Sequence, residues 1–353
     1  MPACAAHPAP RKSCPTLSGE VRWLLRPAGL LWVGFLHLAP GLFAATNTLV
    51  WPAPPDVARI AFVESITTPR TAGARLPALK KLANWITGDH AGNEPFRKPF
   101  GIALDERGNL CLTDTGANTV SFFDRKEKKW HRWNAVGKLR FGSPVGVAKQ
   151  GELLYVADSD LGAVIVFDVK GKLRQVITNA LDRPVAVALL RDQLYVVDAQ
   201  RHCVQRFDLA GVPQAAFGRR GSGEGEFNYP THLAAAGDRL YVTDSMNSRV
   251  QVLDGEGRFV AQLGRAGKGA GQFSRPKGVA VDAGGRVWVV DGMADNFQGF
   301  DPSGRLLIGI GAQGTAAGEF WLPNGIAVSP AGELYIADSY NRRVQRFQLL
   351  SPP

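Results

Sequence analysis

The chain has little cysteine for its length, 4 residues in 353. Cys4 and Cys14 precede an apolar stretch, while Cys111 and Cys203 stand far apart without C-x-x-C or comparable ligand spacing. No zinc module is present, and Cys111 and Cys203 are expected to pack as small buried residues rather than as a disulfide or redox pair. Histidine is also sparse, and His90, His131 and His202 join no Ser/His/Asp or Cys/His constellation. Long charge-rich helical stretches are missing as well. What remains is 40 Gly and 23 Pro punctuating short runs of Val, Leu, Phe and Tyr, which is the composition of an all-β chain.

The net charge of +10 suits an anionic partner, but it is spread along the sequence. Setting aside Arg11, Lys12, Arg22, Arg26 and Glu20 leaves about +7 for the remainder. Those five residues precede an apolar run at 28–45 (AGLLWVGFLHLAPGLFAA) that ends in small residues. Basic, then apolar, then small is the order of an export signal. At ~1.5 Å per residue the run falls slightly short of a bilayer core, and His37 and Pro40 weaken it as a stable span. Two fates stay open, cleavage near Ala44 or Ala45 and retention as an N-terminal anchor. Either makes the rest extracytoplasmic, periplasmic or secreted, with membrane contact only through residues 28–45. The long stretch ahead of the run also leaves open a true start near Val21. Residues 46–57, with WPAPP at 51–55, read as a stiff Pro-rich linker.

From residue 58 onward the sequence repeats. Pro99, Pro144, Pro184, Pro230, Pro276 and Pro323 recur at spacings of 45, 40, 46, 46 and 47. Asp114, Asp158, Asp198, Asp244, Asp291 and Asp338 keep step with them. Each unit holds four short apolar runs separated by turn residues, as in GVAVD (278–282) and VWVVD (287–291), which is one four-stranded propeller blade. The sixth unit stops after residues 344–350 and lacks a fourth run. The segment 58–66 (ARIAFVESI) resembles such a run, so it is expected to complete the last blade and close the ring. Between it and the first blade, residues 76–88 (LPALKKLANWITG) carry a helical apolar face ending at Gly88.

AVDAGGRVWVVD, LYVTDSMNSRVQVLD and LYIADSYNRRVQRF resemble NHL repeats, and the likeness covers about residues 58–350. It is nearest to the single-domain NHL proteins exported by bacteria. The resemblance implies a monomeric six-bladed β-propeller of NHL repeats with no cofactor, and leaves function open, because one fold hosts many activities. Animal relatives joined to ubiquitin-ligase modules carry a Cys/His zinc domain that this chain lacks. Intracellular NHL propellers bind RNA, a reading that the export signal opposes. Related lactonases and the lyase of peptide amidation hold calcium or zinc in the pore.

Two groups of residues are candidates for binding. Residues one and two after each anchor proline fall at the pore mouth: apolar or glycine in blades 1–3, and Thr231, His232, Lys277 and Asn324 in blades 4–6. His232 stands where glycine is usual. One His, one Lys and one Asn do not make a calcium or catalytic zinc site, and a lysine opposes a cation. Long glycine-rich loops at 218–230, 264–276 and 311–323 lead into the same three blades, and strands rather than helices follow them, so they do not cradle phosphate. Phe227, Phe273 and Phe320 are expected to plug these loops between blades. Arg219, Arg220, Arg265, Lys268, Arg275 and Trp321 complete an upper-face candidate for a protein or anionic glycan. The aspartates are expected to hydrogen-bond their own turns, with Arg249 and Arg343 paired to Asp244 and Asp338. A non-catalytic scaffold is the leading expectation, with a metal-dependent hydrolase or lyase and an RNA-binding propeller as alternatives.

Overall fold

A computed structural model of the chain describes residues 48–75 and 92–350. The expected export segment at 1–45 and helix at 76–88 lie outside them. Among the described residues no helix is long and apolar enough to cross a membrane.

Six antiparallel sheets follow one another along the chain. Blade 1 comprises Pro99–Leu104, Leu110–Asp114, Thr119–Asp124 and Lys129–Trp133. Blade 2 comprises Pro144–Gln150, Leu153–Asp158, Ala163–Asp168 and Leu173–Ile177. Blade 3 comprises Pro184–Leu190, Gln193–Asp198, Cys203–Asp208 and Pro213–Phe217. Blade 4 comprises Pro230–Ala236, Arg239–Asp244, Arg249–Asp254 and Phe259–Leu263. Blade 5 comprises Pro276–Val281, Val287–Asp291, Asn296–Phe300 and Leu306–Ile310. Blade 6 contributes Ile326–Val328, Glu333–Asp338 and Arg343–Leu349.

The second and third strands read as continuous apolar runs because each sheet is covered by a neighbour on both faces. Ala163–Asp168 is buried at every position, whereas the outermost Pro213–Phe217 is exposed along most of its length. The core is therefore a ring of interblade layers. One layer sets Val164, Val166 and Ile177 of blade 2 against Leu194, Val196 and Phe207 of blade 3. Cys111 and Cys203 are buried free thiols, Cys111 within the layer between blades 1 and 2.

Ile60–Ile66 supplies the missing strand of blade 6, running antiparallel to Arg343–Leu349 from Ile60 opposite Leu349 to Ile66 opposite Val344. Fully buried Ile60 and nearly buried Ile66 contribute roughly 1.5–3 kcal/mol each. The segment 46–57, expected as a spacer, departs from that reading. Val50–Trp51 pairs with Ile60 and Ala61 as a fifth strand, and the Trp51 ring packs 5.7 Å from Phe347. The apolar side chain of Trp51 turns an extended Pro-rich segment into part of the sheet.

The interblade plug extends beyond the three long loops. Phe96, Phe141, Leu181, Phe227, Phe273 and Phe320 each stand three residues before the anchor proline, and all six are buried. The plug thus belongs to every blade, and loop length is a separate variable.

Candidate interaction face and pore mouth

The aspartate that ends each second strand ties the incoming loop to its blade. Asp114 accepts from the backbone N–H groups of Arg97 and Lys98 at 2.7 and 2.9 Å, and from its own turn at Gly116 and Ala117. Asp158, Asp198 and Asp291 repeat both halves of this arrangement. Asp244 and Asp338 also bind the incoming loop, through Asn228 N–H and Trp321 N–H. In these two the second partner is an arginine, at 2.9 Å for Arg249 and 2.7 Å for Arg343. Both pairs are buried, and the guanidinium groups go on to donate to loop carbonyls of Gly223 and Glu226, and of Thr315, Ala316 and Glu319. These pairs are structural struts, with every charge matched inside the fold.

The three long loops share one internal design. Phe227, Phe273 and Phe320 donate their backbone N–H groups to Arg219, Arg265 and Ala312, and Glu226, Gln272 and Glu319 fold back to cap Gly223, Gly269 and Ala316 N–H groups. A third-strand glutamine fastens each loop from below. Gln251 accepts from Gly225 N–H and donates to Glu226 O, Gln298 does the same with Gly271 and Gln272, and Gln345 with Gly318 and Glu319. The pattern was readable as a glutamine second in each of the third strands Arg249–Asp254, Asn296–Phe300 and Arg343–Leu349, counted from the buried apolar residue before it.

So braced, the loops present their tips outward. Arg219, Arg220, Arg265 and Lys268 are exposed, and Arg275 and Lys277 are half-buried nearer the pore. Arg219 pairs with Glu226, but Arg220, Arg265, Lys268, Arg275 and Lys277 have no carboxylate partner among the described residues. On the opposite face the turn aspartates hold their neighbours, as in Arg258–Asp254, Arg286–Asp282 and Arg305–Asp301 at 2.7–3.1 Å.

Large apolar side chains accompany the free cations. Tyr229, Met246, Met293, Trp321 and Tyr340 are all exposed on the upper face of blades 4–6, Met293 by 62% and Trp321 by 44%. Trp321 and Tyr340 pack together at 5.6 Å, and Lys98 lies over the Tyr340 ring. Met246, Met293 and Tyr340 occupy one repeat position, two residues after the aspartate, where blades 1–3 have Gly116, Asp160 and Gln200. Sequence reasoning named Trp321 and missed this position, although repeat alignment reveals it.

The pore mouth is closed. Phe100 of blade 1 stacks on His232 of blade 4, across the ring, at 6.1 Å between centroids. Below them the channel is only about 40 Å³ and is lined by Ile102, Val147, Val187, Leu233, Val279 and pore glycines. Glycine is needed there because a Cβ at Gly101, Gly146, Gly278 or Gly325 would overlap the next blade's backbone. His232 departs from that pattern, and its imidazole is pushed down to about 3 by burial and then by Lys277. Burial, followed by Arg275, also lowers the Lys277 ammonium. His202 lies elsewhere, on the turn of blade 3, where its Nδ1 accepts from Tyr229 N–H at 3.0 Å. His131 sits on the outer strand of blade 1, stacked on Trp133. Among the described residues, no three His, Cys, Asp or Glu side chains converge as a metal-holding group.

With this geometry in hand, the fold defines a six-bladed β-propeller. A family model described as "6-bladed beta-propeller" matches residues 230–297, and one described as "NHL repeat" matches 320–347. The chain is a six-bladed β-propeller with an NHL repeat at 320–347. Solved structures of similar fold include a streptogramin B lyase, 13% identical with a TM-score of 0.55, covering 73% of this chain and 95% of its own. A virginiamycin B lyase from Staphylococcus aureus is 14% identical with a TM-score of 0.52, covering 72% and 96%. An auxiliary nutrient binding protein from Bacteroides thetaiotaomicron is 12% identical with a TM-score of 0.57, covering 71% and 69%. At these identities the likeness is one of fold. No curated protein matches in sequence.

Proposed function

We propose that this propeller is a non-catalytic binding scaffold that takes an acidic protein partner on its upper face over blades 4–6. The observation that carries the reading is the coincidence, on that face, of five exposed large apolar side chains with five cations that lack a carboxylate partner. Exposed Trp, Tyr, Met and Arg are the residue types that dominate protein-binding hot spots, and unpaired cations add steering toward negative charge. The three long loops are each fastened by a buried third-strand glutamine, Gln251, Gln298 or Gln345, so little ordering cost accompanies docking.

The test is selection from a displayed peptide library on the purified protein. Enriched sequences should combine Asp or Glu with apolar residues, and capture should be lost in the charge-reversed set Arg220→Glu, Arg265→Glu, Lys268→Glu and in Trp321→Ala. Tight salt-dependent binding of heparin without peptide enrichment would make the partner a glycan. The same result with single-stranded RNA would make it a nucleic acid. Stoichiometric calcium or zinc, lost on His232→Ala, would favour a metal-dependent hydrolase or lyase.

A further inference from the structure

Away from blades 4–6, the outer edge of blade 1 holds an open cleft of about 660 Å³. One wall is the last strand of the blade and the residue after it, Trp130 through Asn134; the other is the chain entering the blade, with Glu94, Pro95 and Arg97. Arg132 ties the walls together. Both of its terminal nitrogens donate to Glu94 O at 3.2 Å, and it pairs with the Glu94 carboxylate at 3.4 Å. Trp130 packs on Phe96 and Phe123 at 5.8 and 5.6 Å, and His131 stacks on Trp133 at 5.6 Å. These contacts hold the aromatic side chains half-buried along the cleft.

The lining also carries polar groups that the chain leaves unused. Thr119 Oγ1, Trp130 Nε1 and Arg132 Nε have no hydrogen-bond partner, and Thr119 is more than nine-tenths buried. Buried polar groups without partners are uncommon in folded proteins, so three on the walls of one cleft point to a polar occupant. At the rim Arg97 and Asn134 are exposed, and Arg97 has no carboxylate partner among the described residues. Burial and then Lys129 hold His131 below its ordinary pKa, so its imidazole is neutral at pH 7. Arg97 and Arg132 against Glu94 leave the lining with a single net positive charge.

A cleft of ligand size in which aromatic and hydrogen-bonding residues alternate suits a molecule presenting C–H faces and hydroxyl groups together. A lipid chain would strand the polar groups, and the phosphates of a nucleotide would bring more negative charge than one net cation offsets. We propose that this cleft binds an acidic oligosaccharide, a short chain of uronate units. Its sugar faces pack on the aromatic wall, one carboxylate pairs with Arg97, and Asn134 and Glu94 serve its hydroxyls. The cleft shares no residue with the upper-face set, so this inference is independent of the protein-docking reading.

The experiment is calorimetric titration of the full chain with short oligouronides of galacturonate, mannuronate and glucuronate, beside maltotriose and cellotriose, with amide hydrogen exchange to locate the bound sugar. At least one oligouronide should bind more tightly than either neutral sugar and should slow exchange at 92–98 and 129–134. Arg97→Gln should weaken that oligouronide about tenfold, because a charge-assisted contact is lost. Asn134→Ala should weaken it by a smaller factor. Both side chains are exposed, so neither variant endangers the fold. The set Arg220→Glu, Arg265→Glu, Lys268→Glu should bind the oligouronide as the wild-type chain does. Binding of none of the three oligouronides, tighter binding of a neutral sugar, unchanged affinity in Arg97→Gln, or protection confined to the loops of blades 4–6 would overturn the site. Peptide capture unaffected by the upper-face set, with oligouronide binding lost in Arg97→Gln, would sink only the protein-docking reading.

Discussion

In blade 2 the chain reaches its anchor proline through a small hairpin, Ala135–Val136 with Leu139–Arg140; in blades 4–6 it passes through glycine-rich loops of one design. Both halves of the ring place an apolar plug three residues before the proline and an aspartate at the end of the second strand. They differ in what stands above that frame. Blades 1–3 show Gly116, Asp160 and Gln200 where blades 4–6 show Met246, Met293 and Tyr340, and an apolar or glycine mouth where blades 4–6 show Thr231, His232, Lys277 and Asn324. The difference separates the residues that make the propeller from those available for recognition. The first group recurs in every blade, and the second is confined to one half.

The largest expected effect bears on the shared frame. Deleting residues 48–66 removes Trp51, Ile60, Phe62 and Ile66 from blade 6 and should cost at least ~5 kcal/mol, lowering the calorimetric midpoint by more than about 10 °C. An unchanged midpoint would remove the ring-closing role of this strand. Next come the plugs. Phe273→Ala and Phe141→Ala should each cost about 3–5 kcal/mol in denaturant unfolding, because both rings are buried between blades. If Phe141→Ala proved neutral while Phe273→Ala did not, the two halves would differ in their cores as well as at their rims.

The smallest effect concerns the departure at the mouth. The folded-state pKa of His232, about 3, lies below its ordinary 6.5, so the unfolded chain binds more protons between those values. Stability contributed by the neutral imidazole is complete above about pH 6.5 and declines as pH falls, by up to ~1.4 kcal/mol per unit. His232→Leu should therefore show a shallower fall in midpoint between pH 7 and 4.5 than the wild-type chain. Some slope should remain, since burial and then Arg220 lower His202 in the same direction. Equal slopes would mean that His232 is solvated, and that the mouth is open rather than stacked shut.

Much of the frame was legible because its signals are local and repeated six times. Proline and aspartate recur at nearly constant spacing, and the shortfall of one strand at the end pointed to 58–66. Other features had a signal that was passed over. The phenylalanine three residues before proline was credited only to the long loops, and Met246, Met293 and Tyr340 required comparison of one position across all blades. The remainder had no local signal. Phe100 and His232 are brought together only by closure of the ring. The pairing of Arg249 with Asp244 was readable from their spacing within one hairpin, whereas nothing local marks Arg220, on a separate loop, as exposed and without a carboxylate partner.

The strand that completes blade 6 also orders events during synthesis. Residues 60–66 leave the ribosome before any of blades 1–5, yet their hydrogen-bonding partner, Arg343–Leu349, emerges only after all five. Throughout that interval the nascent chain carries an apolar strand with an open edge, while blades 1–5 can already stack in sequence. The ring can seal only after residues 343–349 have been translated, so chains that stop short of them retain an adhesive edge that the closed ring conceals.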